Sequence, residues 1–380
     1  MPLSKIVAKS ITDDTITTDQ IADNSVHGRR NVVINGACQV AQRGTSSTGL
    51  GGSAPGYTTV DRWQLSIGST SAGRFSTAQV AVTDLPGFAN AFHLDCTTAD
   101  TSIAAGELLK MDYKIEGQDL QRFKKGTSSA ESITISFYMK TNKAFTFMCE
   151  LDDKDNNRIN SNQFTTSTSW TRHEITIPGD TTGTLDDDNN VSFVISLWFH
   201  AGSTYTGGTY TANTWQSRQS SDNMRAVGIG SFFDSTDNDI KVTGLQMELG
   251  QNATPFEHRS YGEELALCHR YFEKIYLNSY SCQLSAENSQ QAKGGVIRFS
   301  EKRANPSITF PTIGTGSNQL AYTNSVGSYV TQGSTFRSTQ TKTQMSIFNN
   351  YADGFSGMTA GDNVMLYVNG NVEIDVKAEL

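Results

Sequence analysis

The chain has 380 residues, of which 36% are hydrophobic and 18% charged, with a formal net charge of -8 and a pI near 5.3. Its length permits a sizeable core and two or three domains. The acidic balance, without any run of Lys or Arg beyond the pair Lys124 and Lys125, argues against broad binding to phosphate backbones. No apolar stretch approaches the roughly 20 residues of a membrane helix.

Thr, Ser, Asn and Gly dominate the remainder. Thr is β-branched and suits strands; Gly and Asn suit turns. The mixture predicts an all-β protein of many short strands.

Residues 1–30 carry the segment KIVAKSITDDTITTDQIADNSV, with apolar markers at Ile6, Ile11, Ile16, Ile21 and Val26. The interval of five fits neither a helix period near 3.6 nor a strand period of 2. ITDDTITTDQ and IADNSVHGRR read as two ten-residue repeats. Ordering such an arm costs about 1–2 kcal/mol per residue in backbone entropy, which one copy of five small apolar side chains barely offsets. The arm is expected to stack on copies of itself or to dock on another protein. The start, MPLSKIVAKS, has no apolar leader core, so synthesis in a cytoplasm is expected.

Residues 31–260 form the second unit. NVVINGACQV reads as a strand, QRGTSSTGLGGSAPGYT as a polar loop, and VDRWQLSI as the next strand. SITISFYMKT alternates, with Ile133, Ile135 and Phe137 on one face and Thr134, Ser136 and Tyr138 on the other. AFTFMCEL follows a Thr-Asn-Lys turn and reads as the second arm of a hairpin. WTRHEITIP, VSFVISLWFH and IKVTGLQMELG complete a sandwich or jelly roll.

SYGEELALCHRYFEK, residues 260–274, reads as a connecting helix placed at 261–275, with Glu263 and Glu264 early and Arg270 and Lys274 late. Residues 276–380 offer GGVIRFS, PSITFP, QMSIFNN and NVMLYVNGNVEIDVKAEL as strands of a small C-terminal β-sandwich. Asn369-Gly370 is a strong hairpin signal there.

Motifs for catalysis are absent: no GxSxG, HExxH or Walker loop occurs. The six histidines are dispersed. Cys38, Cys96, Cys149, Cys268 and Cys282 are odd in number, widely spaced and without a CxxC, so reduced, mostly buried thiols are expected. Acidic turns hold Asp152, Asp153 and Asp155; Asp186, Asp187 and Asp188; and Asp234, Asp237 and Asp239. They lack the calcium-loop pattern, and Asp and Asn favour solvated turns through their own backbone. No catalytic residue, metal or cofactor is expected. Structural Ca²⁺ is the one ion these turns would suit, and no motif supports it.

The aromatics of AGSTYTGGTYTANTWQSRQSSDN say more. Tyr205, Tyr210 and Trp215, with Arg218, Asn213 and Gln216 nearby, suit stacking on sugar faces and hydrogen bonding to hydroxyls. The alternative is that these rings fold back as a lid over a core edge. Trp63 and Trp198 lie within strand patterns and are expected in the core.

RRNVVINGACQVAQRG with TTVDRWQLS resembles the opening of a jelly-roll domain common in bacteriophage tail fibres and other virion appendages. VTGLQMELGQNATPFEHRSYGEELALCHRYFEK resembles that domain's exit, and NVEIDVKAEL the last strand of the C-terminal domain of the same proteins. The resemblance implies a carbohydrate-binding-module-like jelly roll, a homotrimer, attachment to the virion through the arm, and contact with host-surface glycan. It implies no binding role for Asn35, Gln39, Arg43, Asp61, Arg62, Trp63, Pro255 or Phe256, which look like scaffold. The expectation is a non-enzymatic tail fibre located in the virion and made in the host cytoplasm. Ile6, Ile11, Ile16, Ile21 and Val26 would serve attachment or trimerisation, and Tyr205, Tyr210, Trp215 and Arg218 glycan binding. Expected partners are itself, other virion proteins and host glycan, without nucleic acid or membrane insertion. Alternatives are a capsid, neck or tail decoration protein without a host-binding role, and a polysaccharide depolymerase.

Overall fold

A computed structural model describes residues 29–380, except 53–55, 69–71, 219–223, 325–328 and 331, and gives Ser279 and Asn369 as backbone only. Ile6, Ile11, Ile16, Ile21 and Val26 lie outside the described residues.

The fold is all-β and its ladders are antiparallel. One six-stranded sheet runs β1 (Ser46–Leu50), β4 (Arg74–Ala81), β5 (Asn90–Thr98), β13 (Asp239–Leu249), β7 (Ile133–Thr141) and β10 (Thr171–Ile177). A seven-stranded sheet runs β12 (Gln216–Ser217), β9 (Arg158–Thr165), β8 (Thr146–Asp153), β11 (Val191–Ala201), β6 (Leu108–Glu116), β3 (Trp63–Gly68) and β2 (Gly56–Tyr57). The two share one core. Ile133, Ile135, Phe137 and Met139 meet Phe147, Leu151, Ile195 and Leu197 there. Burying each such side chain is worth about 1.5–3 kcal/mol.

The alternation of SITISFYMKT is observed, yet Thr134 and Ser136 on its outer face are buried too. Thr134 donates to the carbonyl of Gly250 at 2.8 Å, and the exit segment is pinned above the sheet by Glu248 accepting from the Thr254 amide at 2.9 Å.

Within residues 31–260 three local expectations fail. NVVINGACQV is not a strand: Asn35 (φ 57°) and Cys38 (φ 55°) are left-handed, and the Asn35 side chain bonds both ways with Val40 and donates to Asp61. The run is apolar because it plugs the sandwich, with Val33, Cys38 and Val40 buried. The following polar loop contains β1. The Thr-Asn-Lys turn joins no hairpin; β7 and β8 sit in opposite sheets, and the observed hairpin is β8 to β9 through residues 154–157.

The helix α2 (Tyr261–His269) is capped by Ser260, whose hydroxyl accepts from the Glu263 amide. β14 (Phe272–Ala286) follows and opens the C-terminal sheet. That sheet runs β16 (Ser307–Thr309), β20 (Asn363–Lys377), β14, β15 (Ala292–Arg298), β19 (Gln344–Phe348) and β18 (Arg337–Gln340), with β17 (Gln319–Thr323) also on β20. It bends over a second core that includes Leu284, Leu320, Ile347, Val364, Leu366 and Ile374. Asn369-Gly370 is no turn. β20 runs straight through it, with Asn278 opposite Asn371 and Ser279 opposite Val368, so the pair is a bulge with Gly370 at φ 104°.

The two cores are joined by a polar and aromatic seam. Buried Arg62 lies 3.4 Å from the Tyr271 ring centre, donates to the carbonyl of Lys114 at 2.6 Å and pairs with Glu379 at 3.1 Å. Arg43 lies 3.6 Å from the Phe272 ring centre and pairs with Glu379 at 2.7 Å. Arg270 forks onto Glu116 at 2.9 and 2.7 Å.

Candidate functional site

The seven-stranded sheet turns one face to the core and one outward. Along β8 and β11 the period of two sends Met148, Glu150, Asp152, Ser196 and Trp198 outward. Trp198 is fully buried, though not in the main core: with Met148 and Ala226 it forms a small cluster beneath the segment that follows β11. That segment begins with α1 (Ser203–Thr206) and crosses the outer face.

Tyr205 packs on Trp198, with ring centres 5.3 Å apart, and its carbonyl accepts from the Ala226 amide at 2.9 Å. Tyr210 joins the same cluster, and its hydroxyl accepts from the Gln163 amide at 3.0 Å. Arg225 reaches down to Glu150 at 2.8 Å and Asp152 at 3.3 Å, closing the acidic part of the face. Farther along, Asp112 takes a hydrogen bond from Ser66 at 2.6 Å and pairs with Lys110 at 3.0 Å. Burial pushes the Asp112 carboxyl up, but Lys110 and the two serines Ser196 and Ser66 hold it below the usual carboxylate range.

The segment then rounds the edge of the sheet at β9. Residues 211–214 are exposed, and the Asn213 amide donates to Asn162 at 2.9 Å. Trp215 stacks on Phe193 with centres 6.4 Å apart and planes 25° apart, and its indole N–H donates to the carbonyl of Pro178 at 2.8 Å. The Lys125 ammonium lies 5.5 Å from its ring centre. Arg218 donates to the Asn157 side chain at 2.8 Å.

The four residues singled out in sequence are thus divided. Tyr205 and Tyr210 flank Trp198 on the outer face, while Trp215 and Arg218 hold the sheet edge. All four are half-buried. The arrangement presents anchored rings beside backbone amides and cations, groups that can stack and hydrogen-bond.

The acidic turns are knitted internally. Asp153 pairs with Lys125 at 2.6 Å, Asp155 accepts from the Asp186 amide at 3.0 Å, and Asp188 accepts from the Asn190 amide at 2.8 Å. Asp234 pairs with Lys143 at 2.7 Å and Asp239 with Lys241 at 2.6 Å. Among the described residues no three His, Cys, Asp or Glu side chains are gathered as a metal site. All five cysteines are free thiols and four are buried. Burial pushes Cys38 up to about 12 and Cys96 up to about 11. His173 is packed between Phe137 and Phe164 rather than set as a base.

An open cleft of about 650 Å³ lies along the seam, lined by Arg43, Tyr57, Lys274, Arg303, Lys377 and Glu379. Its charges are paired within the chain, Lys274 with Glu373 at 2.5 Å and Lys377 with Asp375 at 3.1 Å. One surface escaped the sequence reading: Tyr280, Tyr329 and Tyr367 meet on the C-terminal sheet. Outward-phased tyrosines in NSYSCQ and VMLYVN were the available signal.

Fold and site together define a two-layer antiparallel sandwich with a covered outer face, fused to a curled β unit. No family model matches the chain, and no curated protein matches its sequence. Among solved structures, it is similar to the enzymatically active domain of tailspike protein 4 of bacteriophage CBA120, at 10% identity and TM-score 0.30, over 58% of this chain and 21% of that one. The chain therefore spans about a fifth of the tailspike's length. It is also similar to a family 11 carbohydrate-binding module of a Clostridium thermocellum cellulase, at 17% identity and TM-score 0.26, over 52% of this chain and 91% of that one. A xylan-binding domain from Paenibacillus barcinonensis matches at 10% identity and TM-score 0.25, over 55% of this chain and 94% of that one.

Proposed function

We propose that this chain is a non-enzymatic phage virion protein, a trimeric tail fibre that attaches through residues 1–30 and presents its β units to host-surface glycan. The sandwich binds sugar weakly through the edge segment from Tyr205 to Arg218, and several copies supply avidity. The reading rests on Trp215. One side of its ring is stacked on Phe193 and its N–H is tied to Pro178, beside the exposed run 211–214. A half-exposed indole held this way meets a sugar face with little further loss of entropy.

The test is adsorption of the full chain to host cells. Trp215→Ala is expected to weaken adsorption at least tenfold while thermal unfolding shows a folded protein. Unchanged adsorption by the folded variant would sink the site. A solution mass of three times 41.4 kDa is expected for the full chain.

The internal partners of Tyr205 and Tyr210 favour a second reading, a capsid, neck or tail decoration protein without a host-binding role. Adsorption indifferent to all of these rings would support it.

A further inference from the structure

We propose that Tyr280, Tyr367 and Tyr329 form a second carbohydrate platform, specific for neutral glycan, on the outer face of the C-terminal sheet. It is separate from the sandwich segment and stands on different observations.

The platform is a product of register. Irregularities between Asn278 and Ser279 and between Tyr280 and Cys282 set Tyr280 on β14 directly opposite Tyr367 on β20. β17 flanks the other side of β20, and a bridge from Thr323 to Tyr329 brings the third ring in. Ring centres are 5.1 Å apart for Tyr280 and Tyr367, and 5.7 Å for Tyr329 and Tyr367. The planes differ by 52° and 67°, so the surface is bent rather than flat. Tyr280 is 52% exposed and Tyr329 44%, unusual for rings already in mutual contact.

The surroundings name the ligand. Residues 275–286, 319–324, 329–336 and 363–372 contain no Asp, Glu, Lys, Arg or His. The polar groups at the rim are amides: Gln283 donates to Asn363 at 2.6 Å, and Asn278 lies opposite Asn371. Rings for stacking and amides for hydroxyls, on segments without charge, suit an uncharged sugar, and the lysine that the adjoining strand sets opposite Ser285, Lys293, is already paired with Glu287 at 2.8 Å. Self-association fits less well. Three half-exposed rings offer about 300 Å², whereas a stable interface takes about 800 Å² from each partner.

The full chain is applied to a printed array of neutral and acidic bacterial polysaccharides, beside Trp215→Ala, Tyr280→Ala with Tyr367→Ala, and Tyr280→Phe. Thermal unfolding is recorded for each. The expected result is retention on a neutral polysaccharide that Tyr280→Phe keeps within about threefold and the double alanine variant loses at least tenfold. A soluble oligosaccharide of that polymer should also perturb tyrosine absorbance in the unaltered chain, a reading that needs no variant to fold. The proposal is overturned by retention on acidic polymers alone, by no retention, or by retention equal in the double variant. It is equally overturned if the double variant lowers the oligomeric mass, which would make the rings a contact between copies. Loss confined to Trp215→Ala would overturn this platform and leave the sandwich reading standing.

Discussion

The Arg62 guanidinium lies over the face of Tyr271, 3.4 Å from the ring centre, with both residues buried. The pair connects the sandwich to the strand that opens the second core. Arg62 also holds Glu379, which keeps Arg43 as its second partner, and the Lys114 carbonyl, so its removal empties the face of Tyr271, halves the pairing of Glu379 and leaves that carbonyl without this donor. Arg62→Ala is expected to cost about 3 kcal/mol or more. Calorimetry should show the two cores melting as separate transitions; a single unshifted transition would refute the coupling.

Asn35 combines a left-handed backbone with a buried, fully engaged amide, and its carbonyl accepts from the Trp63 indole at 3.0 Å. Asn35→Ala loses the amide bonds and strains the backbone, about 3 kcal/mol in all. Asn35→Gly should recover about 1 kcal/mol of that by relieving the backbone alone. Gly36→Ala should also destabilise, because a Cβ there collides with the Leu245 carbonyl oxygen. Urea midpoints measure all three.

Burial lowers His173 from 6.5 to about 4. Its ring sits 5.3 Å from Phe137 and 4.8 Å from Phe164, and its Nε2 has no hydrogen-bond partner among the described residues. The unfolded chain takes up the proton near pH 6.5 and the folded chain only near pH 4. Stability from this group is therefore lost as pH falls through that window. His173→Phe should flatten the pH dependence of the urea midpoint between 6.5 and 4. An unchanged slope would show that other groups set it.

Gly370 at φ 104° lets β20 absorb two extra residues without turning back. Gly370→Val should cost about 1–3 kcal/mol. It should also alter the near-ultraviolet circular dichroism of the tyrosines, since the bulge sets Tyr280 against Tyr367. A variant with an unaltered spectrum would separate the bulge from the platform.

The elements legible from sequence were those whose signals are local. β7, β10 and β13 carry apolar residues at every second position, β11 reads as a near-continuous apolar run, and α2 announces itself through Ser260 and the early Glu263 and Glu264. The failures share a cause. A turn signal states that the chain changes direction without naming the next partner, so Thr-Asn-Lys read as a hairpin when it crosses between sheets. Asn-Gly permits positive φ, which serves a bulge as well as a turn. NVVINGACQV is apolar because it is buried, and burial alone does not require a strand. The edge aromatics were visible as a cluster, but the partners of Trp215, Phe193 and Pro178, lie far from it in sequence, the latter 37 residues away. The phase of Tyr280 and Tyr367 was readable, but their meeting with Tyr329 was not, because the three rings come from three separate segments.

The chain enters and leaves the sandwich at one place. The amides of Arg30 and Asn31 donate to Glu257 at 2.9 and 2.7 Å, Arg259 donates to the carbonyl of Val33 at 2.8 Å, and Arg29 pairs with Glu263 on α2. A pull on the chain before Arg29 is handed to these side chains and on through α2 to the C-terminal sheet. Part of that load also reaches β13, because the Val32 amide donates to the Met247 carbonyl at 3.1 Å and the Met247 amide to the Asn31 side chain at 3.2 Å. Tension would shear these hydrogen bonds side by side instead of peeling one strand at a time.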